Sequence, residues 1–140
     1  IELMPIGLGS SLPRRTEKEV LDILEAAFGP ALPCPQEAGG GPGRYVTFAG
    51  FRGRVGFISA VSHQFCASCN RVRLTAAGFL KTCLQYDCGV DLKALLDGGA
   101  DDAALTAAIR LAIAQKPEGH HFGQAPTRRD EGRNMNQIGG

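Results

Sequence analysis

Apolar residues near the start of the chain recur with the spacing of one helix face: Val20, Ile23, Leu24, Ala27 and Phe28. Thr16 and Glu19 precede this stripe with the spacing of a capping box, and Gly29-Pro30 follows it. Because a capping box begins helices and a Gly-Pro pair ends them, the pattern predicts a helix over residues 16–28. The apolar run at residues 1–4 predicts a strand that is already in progress where the sequence starts.

Strand-like patterns dominate the middle of the chain. Residues 45–49 and 55–61 predict two strands around a turn, and residues 72–76 and 80–84 predict a hairpin that turns at Ala77-Gly78. Together they predict a small antiparallel sheet. Two helices should follow, a short one over residues 91–97 and a second from the aspartates at 101–102 to Pro117.

Two segments lack a regular pattern. Residues 32–43 are rich in proline and glycine, which predicts a loop. Residues 119–140 contain few apolar residues, and this composition predicts a disordered tail.

Length and composition favour one core with tails, since the chain has 140 residues of which 44% are hydrophobic. The sequence contains no apolar run long enough for a membrane span and no secretory leader, so we expect a soluble, cytoplasmic protein. The net charge of +1 hides a segregation, because residues 38–86 contain no Asp or Glu. This stretch carries six cations: Arg44, Arg52, Arg54, Arg71, Arg73 and Lys81. Such a stretch favours an anionic ligand rich in phosphate, although any single arginine could equally lie on a solvated face.

Four of the five cysteines are candidate metal ligands. Cys66 and Cys69 form a CxxC pair, the predicted hairpin brings Cys83 back towards them, and Cys88 follows. If all four converge, the site is a closed structural zinc site. If only three do, a 4Fe-4S cluster with one iron free to bind a ligand fits better. Spacing alone leaves both alternatives open.

Two arginines follow the CxxC pair directly. Arg71 and Arg73, separated by Val72, should point the same way along a strand. Each guanidinium offers a planar fork of donors, which suits a phosphate or the edge of a purine. In the zinc alternative, the same basic stretch would bind nucleic acid.

These segments resemble a known family. Residues 57–75, FISAVSHQFCASCNRVRLT, together with Gly78 and Cys83, are similar to the C-terminal cluster region of the GTP 3',8-cyclases, the protein A family of molybdenum cofactor biosynthesis. Residues 1–7, IELMPIG, resemble a late strand of that family's barrel, and residues 134–140, NMNQIGG, resemble its terminus.

The resemblance implies a fold class, an α/β barrel fragment plus an α+β C-terminal domain whose small antiparallel sheet has flanking helices. Residues 1–30 would end an incomplete (β/α) barrel, and residues 31–44 would form the Pro/Gly-rich loop. Residues 45–118 would form the cluster-binding C-terminal domain, and residues 119–140 a tail ending in Gly-Gly.

The resemblance also implies chemistry. The family are radical S-adenosylmethionine lyases that convert GTP to 3',8-cyclo-7,8-dihydro-GTP with two 4Fe-4S clusters. Carried over by position, the ligands of the second cluster are Cys66, Cys69 and Cys83. The GTP contacts are Asn70, Arg71, Val72 and Arg73. Met4 lines the S-adenosylmethionine pocket, and the catalytic pair that supports the radical step is Gly139 and Gly140. Because this pair enters the barrel in the family, the resemblance implies that the tail becomes ordered when the rest of the enzyme is present.

One part of the family pattern is missing. The five cysteines contain no CxxxCxxC motif, which holds the family's first, radical-generating cluster, so we expect the chain alone to be inactive. The implied partners are GTP, a second copy in a homodimer and the cyclic pyranopterin monophosphate synthase that receives the product, with no nucleic acid and no membrane. Two alternatives remain, a structural zinc module that binds nucleic acid and a sulfur carrier that uses Gly139-Gly140.

Overall fold

The structure, a computed structural model, describes residues 1–35, 41–122, 124–125, 127 and 130–138. It divides into two compact units, which are described separately. The N-terminal unit comprises Ile1–Met4 and Ser11–Phe65, and the C-terminal unit comprises Pro5–Ser10 and Cys66–Gly140. No helix in the described ranges is both long enough and apolar enough to cross a membrane.

The N-terminal unit consists of one helix and one antiparallel sheet. Helix α1, Glu17–Phe28, begins at the predicted capping box, in which the Thr16 side chain accepts from the Glu19 amide. Three strands then pair in the order β1-β2-β3: Leu32–Cys34, Arg44–Thr47 and Val55–Phe57. The β2–β3 pair confirms the first predicted strand pair.

The core of this unit lies between α1 and the sheet. Val46, Phe48 and Phe57 are buried, and partly buried side chains of α1, Val20 and Leu24 among them, pack against them. Only Val20 and Leu24 of the predicted apolar stripe face this core, whereas Ile23 and Phe28 are 58% and 49% exposed. The sheet in this unit therefore covers only part of the stripe.

The C-terminal unit is built on a second antiparallel sheet, so the prediction of one sheet is wrong, and the predicted strands divide between two sheets. Strands β4 (Arg73–Leu74), β5 (Phe79–Lys81) and β6 (Gly89–Asp91) pair in that order. The β4–β5 hairpin turns at Gly78, whose φ of 80° suits a residue without a side chain. This confirms the predicted hairpin, although its strands are shorter than expected.

Two helices pack beside this sheet. Asp91 caps α2, Leu92–Asp97, and Asp101 caps α3, Asp102–Ala114, each aspartate accepting a backbone N–H at the start of its helix. Helix α3 contacts both β6 and α2. Both helices were predicted, because aspartate caps are local signals.

Three sequence predictions need correction. Residues 1–4 do not form a strand, although the Glu2 amide donates to the Ile58 carbonyl over 2.9 Å. The predicted 31–44 loop contains β1, which forms because β2 offers an antiparallel partner. The tail is not disordered where the structure describes it, since Glu131 is buried and Ile138 is 0% exposed. The barrel in the predicted fold class stays a prediction.

A single glycine controls the approach of β6 to β5. Gly89 has a φ of 149°, and a Cβ atom there would lie 1.9 Å from the Leu80 carbonyl oxygen. We expect Gly89→Ala to lower the free energy of unfolding of the C-terminal unit by about 2 kcal/mol or more, through strain and overpacking against backbone. Urea unfolding should detect the loss, while Gly119→Ala, where a Cβ meets nothing within 4 Å, should cost far less. Equal stability of the two variants would contradict this prediction.

Candidate functional site

The cysteine segment opens with a tight turn. A 3-10 helix, Cys66–Ser68, is closed by a hydrogen bond from the Cys69 amide to the Cys66 carbonyl over 3.1 Å. Both cysteines are half-buried and neither forms a disulfide. The turn therefore presents two free thiols from one short piece of backbone, as the CxxC spacing predicts.

A lysine from the end of α3 lies against Cys69. The Lys116 ammonium donates to the Cys69 carbonyl over 2.6 Å and to the Arg71 carbonyl over 2.9 Å, and it lies 3.4 Å from Cys69 Sγ. Burial alone would raise the pKa of the Cys69 thiol, but the Arg71 amide and the Lys116 ammonium hold that pKa below its ordinary value. The environment favours the thiolate, which is the form that binds metal.

A tyrosine lies between Cys83 and Cys88 in the sequence. Burial raises the pKa of the Tyr86 phenol, and neighbouring groups, Cys83 first and then Asp130, raise it further. That the hairpin brings Cys83 back to Cys66 stays a prediction.

Cys88 contacts Thr82, the residue that follows strand β5. The Thr82 hydroxyl lies 3.4 Å from Cys88 Sγ, and the Thr82 amide donates to the Cys88 carbonyl over 3.3 Å. Cys88, in the loop between β5 and β6, is therefore held against Thr82.

These thiols do not converge on one point. Within the described part of the chain, no three or more His, Cys, Asp or Glu side chains are placed to hold one metal ion. A closed zinc site with only cysteine ligands needs four sulfurs around a single ion. The four-cysteine arrangement required by the zinc alternative is thus not formed by these residues.

The donor set, three free thiols, has the chemistry that a 4Fe-4S cluster requires. In a four-iron cluster each cysteine binds a different iron, so the three sulfurs need not meet around one ion. Cys66, Cys69 and Cys83 are free and half-buried in one unit, and Cys69 is held towards its thiolate form. Their chemistry fits a 4Fe-4S group, and their assignment as its ligands stays a prediction.

The residues predicted to contact GTP follow the turn directly. Asn70, Arg71 and Val72 are exposed, whereas Arg73 is half-buried and begins β4, opposite Lys81 on β5. The segment therefore presents a cluster of polar donors on the surface and one arginine held by a strand.

Lys81, on the central strand β5, is buried with 1% of its side chain exposed. Its ammonium donates to the Tyr86 carbonyl over 2.9 Å and forms a hydrogen bond with the buried Glu131 carboxylate. Arg133 also donates to Glu131, from Nε over 2.8 Å. The predicted cation of the basic stretch is thus neutralised by an acid from the tail.

A second connection joins the tail to the cysteine region. The Tyr86 hydroxyl lies 2.7 Å from His121 Nδ1, and His121 Nε2 lies 3.1 Å from a carboxylate oxygen of Asp130. Tyr86 and Asp130 also form a β-bridge. Tyr86, which lies between Cys83 and Cys88 in the sequence, is therefore held in place by tail residues.

The remaining predicted site residues lie elsewhere. Met4 is half-buried and belongs to the N-terminal unit. Gly139 and Gly140 lie outside the described residues. The roles of all three stay predictions.

The N-terminal unit contains a polar cluster that the sequence did not reveal. The buried carboxylate of Glu17 pairs with Arg44, accepts from the Ser59 hydroxyl and lies 3.2 Å from His63 Nδ1. His63 therefore has a carboxylate partner, and among the described residues it belongs to no group of three or more side chains that could hold a metal ion.

Sequence reasoning also missed Lys116, Tyr86 and His121. A lysine at a helix end usually extends into solvent, so nothing in the sequence around Lys116 indicates a specific contact. For His121 the sequence gives one indication. A histidine in a tail with so few apolar residues needs a specific partner if it is to be ordered.

Comparison with known proteins gives a family match and several relatives. Residues 1–122 match the family described as Molybdenum Cofactor Synthesis C. The chain is 52% identical over 144 residues to the GTP 3',8-cyclase of Rhodobacter capsulatus and 46% identical over 143 residues to that of Pelotomaculum thermopropionicum. These alignments cover 100% of this chain but 44% and 43% of the relatives, so the chain spans less than half their length. No solved structure matches the chain significantly.

The contacts of Glu131 predict acid sensitivity of the C-terminal unit. Hydrogen bonds from Arg133 and Lys81 lower the pKa of the Glu131 carboxyl from 4.5 to about 2, although burial alone would raise it. A lowered folded-state pKa stabilises the fold above the unfolded value, so this stabilisation should be lost as the pH falls from 4.5 to about 2. At neutral pH, Glu131→Gln should cost about 3 kcal/mol, because it removes the buried carboxylate partner of Lys81 and leaves that ammonium only exposed Asp87, at 3.8 Å.

Urea unfolding across this pH range measures both effects. The exposed carboxylate variant Glu118→Gln is the matched control and should keep the stability and pH profile of the parent chain. The prediction fails if Glu131→Gln has the same acid profile as Glu118→Gln.

Proposed function

This chain belongs to the Molybdenum Cofactor Synthesis C family, and from that membership we propose that it is the substrate-binding part of a GTP 3',8-cyclase. The whole enzyme would be a lyase that converts GTP to 3',8-cyclo-7,8-dihydro-GTP by radical S-adenosylmethionine chemistry. The relatives named GTP 3',8-cyclase, which align with the whole of this chain, support the proposal.

The observation that carries the proposal is the shared location of three free cysteines and two arginines. Cys66, Cys69 and Cys83 lie in one unit, and Arg71 and Arg73 follow the CxxC turn within four positions of Cys69. When bound by three cysteines, a 4Fe-4S cluster supplies an iron with a vacant coordination position, which a nitrogen or oxygen of guanine can fill.

The protein residues would bind and orient the nucleotide. Arg71 and Arg73 offer forked donors to phosphate or to the guanine edge, and Asn70 adds a side-chain amide between the turn and the strand. Because Arg73 is half-buried on β4, its guanidinium starts from a more restricted set of positions than that of exposed Arg71. Prior ordering of this kind lowers the entropy cost of binding.

The remaining functions belong to the whole cytoplasmic enzyme. Met4 would line the S-adenosylmethionine pocket, and Gly139 and Gly140 would support the radical step. A first cluster would come from a CxxxCxxC motif, which these five cysteines do not form. The enzyme would act as a homodimer and pass its product to cyclic pyranopterin monophosphate synthase.

Anaerobic reconstitution with iron and sulfide tests the cluster. The chain should become brown and hold about four irons, whereas Cys83→Ala should lose that absorption because only two of the three ligands remain. Cys34→Ala, in β1 of the N-terminal unit, is the matched control and should load normally. The reconstituted chain, given GTP, S-adenosylmethionine and reductant, should form no cyclised product.

Colourless protein holding one zinc would contradict the cluster assignment and restore the zinc alternative. Product formation by the chain alone would contradict the assignment of the radical-generating step to another part of the enzyme.

The arginines can be tested separately from the cluster. Arg73→Ala should keep the brown absorption and weaken GTP binding by roughly 10- to 100-fold, the equivalent of one hydrogen bond to a charged group. Arg110→Ala, an exposed arginine of α3, removes the same charge and should leave GTP affinity unchanged. Calorimetry on the reconstituted proteins measures both, and equal affinities would remove Arg73 from the GTP site.

A further inference from the structure

The Lys116 ammonium makes three polar contacts, and all of them are with residues 69–71. Its acceptors are the Cys69 carbonyl at 2.6 Å, the Arg71 carbonyl at 2.9 Å and Cys69 Sγ at 3.4 Å. A lysine ammonium has three N–H donors, so this set of contacts uses its full donor capacity. The lysine therefore has a defined structural role at this segment and is not simply a solvated charge.

The position of Lys116 is fixed by its own backbone. Helix α3 ends at Ala114, the Lys116 amide donates to the Ile113 carbonyl over 3.1 Å, and Pro117 follows. A residue before proline has a restricted backbone, and proline prevents the helix from continuing. The end of α3 thus delivers the ammonium from a constrained site 47 positions along the chain from Cys69.

The segment that receives it has little other regular structure. Residues 69–72 lie between the 3-10 turn at Cys66–Ser68 and strand β4, in neither helix nor strand. By holding the carbonyls on both sides of Asn70, one ammonium constrains the path of the chain from a proposed cluster ligand to a proposed GTP-binding arginine. The same group would therefore influence both functions.

The third contact is electrostatic as well as structural. Hydrogen bonds and positive charge at a ligand sulfur stabilise the more negative, reduced form of an iron–sulfur cluster, which raises its reduction potential. Lys116 is placed to exert this effect on Cys69 Sγ. Its charge is partly shielded from water, because the side chain is half-buried.

We propose that Lys116 is a positioning residue of this site, which fixes the backbone of residues 69–71 and raises the reduction potential of the cluster through its hydrogen bond to Cys69 Sγ. The inference rests on the proposed function for the cluster, whereas its structural part concerns the apoprotein alone. The two parts can be tested separately.

The test compares Lys116→Met with Lys93→Met. Lys93, on α2 of the same unit, pairs with Asp97 on the surface, so its replacement removes the same charge away from the cysteines. In the apoprotein, hydrogen exchange at the Cys69 and Arg71 amides should accelerate by about tenfold or more in Lys116→Met, the ratio expected for one lost hydrogen bond to a charged group. Lys93→Met should exchange at the parent rate.

The reconstituted proteins test the second part. A redox titration followed by electron paramagnetic resonance should give a lower midpoint potential for Lys116→Met than for the parent chain and Lys93→Met. Lys116→Arg, which keeps the charge but replaces three converging donors with a planar fork, should recover part of the shift. If Lys116→Met loads too little iron to titrate, Lys116→Gln, which keeps a donor without the charge, takes its place.

The outcomes are distinguishable. Unchanged exchange in Lys116→Met overturns the positioning role, and an unchanged potential overturns the electrostatic role. If neither the parent chain nor Lys93→Met loads iron, the proposed function fails, while the exchange measurement still decides the positioning role.

Discussion

The C-terminal unit depends on a buried ion pair between Lys81 and Glu131. An ammonium on a central strand is costly to bury unless charged and polar groups surround it, and here the Tyr86 carbonyl and the Glu131 carboxylate do so. One partner comes from the loop after β5 and the other from the tail. Burial of Lys81 therefore requires that the hairpin, this loop and the tail be ordered together.

This requirement also shapes the cysteine region. Tyr86, whose carbonyl accepts a hydrogen bond from Lys81, lies between Cys83 and Cys88 in the sequence, and its hydroxyl is held by His121. Lys116, which follows the end of α3, holds Cys69. The thiols are thus supported by groups from the β5–β6 loop, the tail and the end of α3, and none of these supports is adjacent to the CxxC turn in sequence.

The sequence could predict the elements whose signals are local. The Thr16–Glu19 capping box, the Ala77-Gly78 turn and the aspartate caps each act within a few residues, and all appear as expected. Strand β1 was missed because it contains Pro33 and depends on pairing with β2, and tail order was missed because it depends on Lys81, far away in sequence. Likewise, spacing alone left zinc and a cluster open for the cysteines, since it cannot say whether the sulfurs converge.

The wide separation of Lys81 and Glu131 has a consequence for synthesis on the ribosome. The contacts that hold the α1 and β1–β3 core are complete once residue 57 has emerged, whereas the ammonium of Lys81 waits for a carboxylate made 50 residues later. The earlier core can therefore form during translation. The carboxylate that pairs with Lys81 becomes available only after residue 131 has left the ribosome, so the burial of this ammonium in the second sheet is completed late in translation.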